Sequence, residues 1–116
     1  MLRILLKVYE LIREKEYDAD KKITNFAEKY YENYKRLGGR KPYRELKMDL
    51  IIVACATIKN VDIVVSTDRE TMSMDEAGKV FREAYHNVNV IEGYRDPNFW
   101  QYKDLKIKFG FFKKEP

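Results

Sequence analysis

The stretch that most restricts what this chain can become is Leu50-Ile51-Ile52-Val53-Ala54-Cys55-Ala56-Thr57-Ile58, entered through Asp49. It is apolar on nearly every side, the pattern of a helix enclosed by other elements rather than one lying on a surface. Ile63-Val64-Val65 follows, a β-branched run that suits a strand buried on both faces, and it closes in Ser66-Thr67-Asp68. One carboxylate thus opens the helix and another closes the strand. A carboxylate beside so much hydrocarbon is costly unless it is paired, hydrogen-bonded or on a metal. That cost directs attention to Asp49 and Asp68.

The 116 residues suffice for one domain with a real core. Charged residues make up 36% and hydrophobic ones 45%, a balance that excludes a disordered tail. A net charge of +4 is compatible with an anionic partner without demanding one. Cys55, the single cysteine, can close no internal disulfide and reads as packing in a reducing, cytoplasmic setting. The longest uncharged apolar run, residues 50–58, is half of what a membrane span needs. No cleavable leader is read at the start, and no membrane association is expected.

Leu2, Leu5, Leu6, Tyr9 and Ile12 recur at helical spacing and predict an amphipathic helix over residues 1–16, with a strand over 2–8 as the alternative. Ile23, Phe26, Ala27, Tyr30, Tyr31, Tyr34 and Leu37 mark a second helix, which Gly38-Gly39 ends. Lys35, Arg36, Arg40, Lys41, Arg44 and Lys47 then form a basic segment, either a solvated loop or a phosphate-holding one. Asn60 terminates the central helix. Ser73 and Glu76 have the spacing of a capping box for a helix whose inward face is Ala77, Val80, Phe81, Ala84 and Tyr85. Gly78 inside that helix weakens it by about 1 kcal/mol relative to Ala. Val88, Val90 and Ile91 predict a further short strand. Asp96-Pro97-Asn98 signals a turn, which divides a domain over residues 1–96 from an aromatic, lysine-rich extension over 97–116. Within the extension, Leu105, Ile107 and Phe109 alternate with lysines as in an edge strand.

The order helix, strand, helix, strand through residues 48–91 implies an α/β fold, a three-layer α/β/α arrangement around a short parallel sheet. Ligands of such sheets bind beyond the carboxyl ends of the strands. Asp68 falls at that edge. The helix entered through Asp49 runs antiparallel to the strands, so the two carboxylates are expected to be neighbours.

Asp49, its Ile/Ala-rich helix and the strand end Ser66-Thr67-Asp68 together resemble the second half of a PIN domain, from about residue 48 to 91. The resemblance implies a metal-dependent endoribonuclease acting on single-stranded RNA. In such a site clustered carboxylates hold Mg²⁺ or Mn²⁺, hard cations that favour oxygen ligands, and an activated water leaves a 5′-phosphate. Asp49 and Asp68 match two of the family's acidic positions, and Ser66 matches a hydroxyl that helps order the site. Glu10 is the candidate for a further metal-ligating position, with Glu14 and Glu16 as alternatives. The family's first strand, with its aspartate, has no expected counterpart here, which implies either a fragment or a member that has lost it. A homodimer or an antitoxin-like protein is the partner implied besides RNA. The competing reading is a catalytically inactive PIN-derived module that binds RNA or a protein.

Plainer roles stand beside these. Asp49 suits a helix N-terminus through the dipole, and Asp68 suits a turn. Glu70 and Asp75 are near enough in sequence to add a ligand. Tyr30, Tyr31 and Tyr34 read as core before they read as base-stacking groups. Trp100, Tyr102, Phe109, Phe111 and Phe112 read as covering the sheet edge or an oligomer interface before they read as groups that bind RNA or a partner chain. His86 has no second histidine and is given no catalytic role.

Overall fold

The computed structural model describes residues 4–6, as backbone, and residues 21–104. The elements are β1 (Ile4–Leu6), α1 (Lys21–Arg36), α2 (Tyr43–Ile58), β2 (Ile63–Val65), a 3₁₀ turn (Glu76–Gly78), α3 (Lys79–Glu92) and β3 (Asn98–Trp100). The fold is mixed α/β and mostly helical. Its short sheet has the order β1-β2-β3 with both pairings parallel, Leu5 and Phe99 flanking Val64.

The central helix is enclosed as its sequence requires. Every residue of α2 from Leu50 to Thr57 is buried. α1 supplies Ile23, Phe26, Ala27, Tyr30 and Tyr34 to the same core, and α3 supplies Phe81, Ala84, Tyr85 and Val88. From the sheet, Val64 and Phe99 join this core. Ile63 and Val65 point to the other face, where Trp100 and Tyr102 pack against them. Strand β2 is therefore buried on both faces, as its unbroken β-branched run predicts.

Turn chemistry ends each helix. Gly38 at φ 99° closes α1, with the Gly39 N–H on the Tyr34 carbonyl at 2.9 Å and the Gly38 N–H on that of Lys35 at 3.0 Å. Asn60 does the same for α2 at φ 57°, the Val61 N–H reaching the Ala56 carbonyl at 2.9 Å. Both stops match the sequence expectation. Inside the core, the Tyr30 hydroxyl lies 2.7 Å from Asn89 Oδ1 and 3.1 Å from Thr57 Oγ1. With one proton it donates to the amide oxygen and accepts from the threonine, and burial raises its pKa far above the usual value.

Several expectations are corrected. Residues 4–6, read first as helix with a strand over 2–8 as the alternative, form β1, so the alternative holds there and the strand expected to be missing from the start of the fold is present; pairing with β2 decides between the two states. Val88, Val90 and Ile91 belong to α3, not to a strand. Val88 extends the buried row from Phe81, Ala84 and Tyr85, while Val90 and Ile91 are 61% and 80% exposed. α2 begins at Tyr43, so Asp49 sits two turns inside it and the second half of the basic segment is helical. The third strand comes instead from Asn98–Trp100, in the stretch expected to open a C-terminal extension. The expected edge strand at Leu105, Ile107 and Phe109, and Phe111 and Phe112 after it, lie outside the described residues.

The capping box is not formed either. The Ser73 hydroxyl accepts from the Asp75 N–H at 2.9 Å, and Gly78 sits at the junction of the 3₁₀ turn and α3. A Cβ on Gly78 would lie 2.7 Å from the carbonyl oxygens of both Glu70 and Ser73. Helix propensity alone predicts that Gly78→Ala stabilises the protein. The close approach of two backbones predicts the reverse, a loss of about 1–3 kcal/mol read from the urea midpoint.

Candidate functional site

The loop after β2 is assembled from its own side chains. The Ser66 N–H donates to the Trp100 carbonyl at 3.0 Å, extending the ladder by one residue beyond β2. The Ser66 hydroxyl is buried and accepts from the Asp68 N–H at 2.8 Å. Asp68 Oδ1 in turn accepts from the N–H groups of Glu70 at 2.7 Å and Thr71 at 2.9 Å. This is the local Asx geometry by which an aspartate folds the backbone that follows it. Just past β3, the Gln101 side-chain amide donates to the Asp68 carbonyl at 3.1 Å.

The loop brings Thr71 to the centre. Thr71 Oγ1 lies 2.9 Å from Asp68 Oδ2 and 3.1 Å from Asp49 Oδ2. Both carboxylates therefore touch one oxygen atom, and their separation is bounded at about 6 Å. The neighbourhood expected of Asp49 and Asp68 is observed. Its route is one that the sequence reading missed, because Thr71 was not singled out. The available signal was the Asp68-x-x-Thr71 spacing, which suits a local side-chain turn. Thr71 is itself buried, and its carbonyl accepts from the Tyr85 hydroxyl at 2.8 Å.

The electrostatics of this arrangement are specific. A hydroxyl carries one proton and donates to one acceptor at a time, while two ionised carboxylates this near repel each other. Tyr85 reports the local field. Burial, then the charge of Asp49, then Tyr30 and Asp68 hold its phenol well above the usual range.

Other candidates do not join the pair. The Glu70 carboxylate lies on Lys41 Nζ at 2.5 Å, an exposed ion pair worth little to stability. That hydrogen bond raises the Lys41 pKa. Asp75 is held by Arg69 through Nε at 3.0 Å and Nη2 at 2.9 Å. His86 Nδ1, on α3, meets Asp96 at 2.6 Å on the surface. Glu10, Glu14 and Glu16 lie outside the described residues. Among the described residues no group of three or more His, Cys, Asp or Glu converges as a metal centre.

The basic segment is ordered and adjoins this loop. The Tyr34 hydroxyl accepts from the N–H groups of Arg40 at 3.2 Å and Lys41 at 3.0 Å, and the Tyr31 hydroxyl donates to the Lys41 carbonyl at 3.0 Å. Gly39 is needed there, since a Cβ would meet the Tyr34 ring at 2.3 Å. The tyrosines thus serve as core and loop supports, while Arg40 and Arg44 are exposed.

Because Tyr85 keeps its proton in the fold, the unfolded chain loses protons first once the pH passes the usual phenol value of 10.0. The associated stability is complete below that value and is lost above it, by about 1.4 kcal/mol per pH unit for one phenol. Urea midpoints between pH 9 and 11 are expected to fall less steeply in Tyr85→Phe than in wild type. Equal slopes would mean that Tyr85 ionises freely in the folded protein.

Comparison with known proteins returns no matching family model, no similar curated protein and no similar solved structure.

Proposed function

We propose that the chain is a PIN-like, metal-dependent endoribonuclease domain of three-layer α/β/α type, acting on single-stranded RNA in the cytoplasm. The observation that carries this reading is the meeting of Asp49 and Asp68 at Thr71 Oγ1, within 3.1 Å of both. The donor set fits a hard cation in its chemistry: every donor is an oxygen, and Mg²⁺ is commonly held by one or two carboxylates completed by water and substrate phosphate. Asp49 and Asp68 would hold Mg²⁺ or Mn²⁺, with Glu10 as the further carboxylate. When bound, such an ion supplies Lewis acidity at phosphorus and lowers the pKa of a water.

The chain's own residues do the rest. Two backbone N–H groups fix one oxygen of Asp68 and so aim the other toward Asp49. Ser66 holds the Asp68 backbone, and Thr71 has one proton to give to the two carboxylates. Arg40 and Arg44, on a segment ordered by Tyr31 and Tyr34, supply exposed cations for phosphates arriving at this edge.

A second reading is favoured by one observation. The described residues bring only two carboxylates together, with a hydroxyl already between them. In this reading Asp68 is a turn former, and the domain binds RNA or a protein without cutting.

Calorimetric titration with Mn²⁺, paired with cleavage of a labelled single-stranded RNA, separates the two. The nuclease reading expects Mn²⁺ to bind wild type and to bind the Asp49→Asn/Asp68→Asn variant at least about tenfold more weakly, with cleavage abolished by EDTA. Equal Mn²⁺ binding by both proteins, or metal-independent RNA binding without cleavage, contradicts it and leaves the inactive module.

A further inference from the structure

An open cleft of about 650 Å³ lies against α3, bordered by Asp96 and by Leu37 beyond the end of α1. Its volume falls in the range of small-ligand pockets. α3 contributes five side chains to it, and helical periodicity sorts them into two rows. Arg82, His86 and Lys79 fall within an arc of about 60°, and Glu83 and Asn87 occupy the arc beside it. The first row carries nitrogen groups, and the second offers side-chain oxygens.

Two of the three nitrogen groups are held from behind. Arg82 Nη1 donates to the carbonyls of Ser73 and Asp75, both at 2.7 Å, which leaves Nε and Nη2 for other acceptors. The His86 ring is fixed through Asp96, 2.6 Å from Nδ1. Asp96 Oδ1 accepts from Asn89 Nδ2 at 2.9 Å, and Asn89 Oδ1 accepts from the Tyr30 hydroxyl at 2.7 Å. Asn89 and Tyr30 are wholly buried, so the core itself sets the angle of the imidazole. With Nδ1–H on the carboxylate, Nε2 is the ring nitrogen left for a ligand. Both oxygens of Asp96 are thereby bonded within the fold. Lys79 completes the row with an exposed ammonium.

Such a row matches a phosphate group, whose oxygens take several charged N–H donors at once. Glu83 opposes a bare anion, and so constrains what else the ligand carries. Its carboxylate and the Asn87 amide oxygen accept hydrogen bonds of the kind that sugar hydroxyls donate. Asn87 Nδ2 donates to Asn33 Oδ1 of α1 at 3.4 Å, which sets the second row toward the α1 side of the cleft. Leu37 lies there as an apolar surface for the C–H face of a sugar ring. Among the described residues, no aromatic ring lines the cleft for a nucleobase to stack on.

We propose that this cleft binds a small phosphorylated sugar, with the phosphate on Arg82, His86 and Lys79 and the hydroxyls on Glu83 and Asn87. The site shares no residue with the Asp49 and Asp68 pair and needs no metal.

His86 is the single histidine of the chain, so its Cε1–H resonance reports the cleft directly. The experiment titrates the full chain in EDTA with inorganic phosphate, ribose 5-phosphate or ribose, at fixed pH and with ionic strength held by chloride. Lys79 and Glu83 are exposed, so substituting them leaves the core untouched. The expected result is a saturable shift with ribose 5-phosphate, binding about threefold tighter than inorganic phosphate, and no shift with ribose. Lys79→Ala weakens both phosphate ligands by about fivefold. Glu83→Ala leaves inorganic phosphate bound at least as tightly as in wild type and erases the preference for the sugar. A silent His86 resonance, equal affinity for phosphate and ribose 5-phosphate, wild-type affinity in Lys79→Ala, or a preference kept in Glu83→Ala overturns the proposal.

Discussion

A helix with no polar face has to be enclosed, and enclosing α2 sets the rest of this fold. Eight consecutive residues, Leu50 to Thr57, are buried, so neighbours are needed around the whole circumference. Tyrosines and phenylalanines from α1 and α3 supply much of this cover, with Tyr30 and Tyr85 packed edge-on at 4.8 Å and Tyr34 stacked on Phe81 at 4.6 Å. Large aromatic rings fill such a space with few side-chain torsions to immobilise, and their hydroxyls must then find partners. Tyr30 finds Asn89 and Thr57, while Tyr85 finds the Thr71 carbonyl. The last of these bonds reaches out of the core into the loop that carries Asp68.

Packing and chemistry are therefore coupled through a short chain of contacts. α2 holds Asp49 at a fixed depth, two turns from its start. β2 ends at the same edge, and its loop is folded by Ser66 and Asp68 so that Thr71 turns back toward α2. Tyr85 then fixes the height of Thr71. The result places two acidic groups against one hydroxyl.

Much of this was legible in the sequence where a pattern was long or chemically distinct. The apolar run of α2 and the β-branched run of β2 revealed an enclosed helix and a two-face-buried strand. The left-handed stops at Gly38 and Asn60 were readable because few residues tolerate positive φ. The failures fall where information was short or non-local. Ile4-Leu5-Leu6 is a strand because β2 lies beside it, and Asn98-Phe99-Trp100 follows a proline and a turn that hide its pairing. Val88, Val90 and Ile91 are β-branched, but the aromatic row of α3 carries them into the helix. For the site, topology placed Asp49 and Asp68 together, whereas Thr71 emerged only once the loop had been folded.

The central claim is that Asp49 and Asp68 form one cation-binding locus at the carboxyl edge of the sheet. Anomalous diffraction from crystals soaked in Mn²⁺ tests it most directly. The account predicts a Mn²⁺ peak contacted by oxygens of both aspartates, next to Thr71 Oγ1. Saturating Mn²⁺ with no peak there, or with peaks confined to exposed groups such as His86 and Asp96, would contradict it.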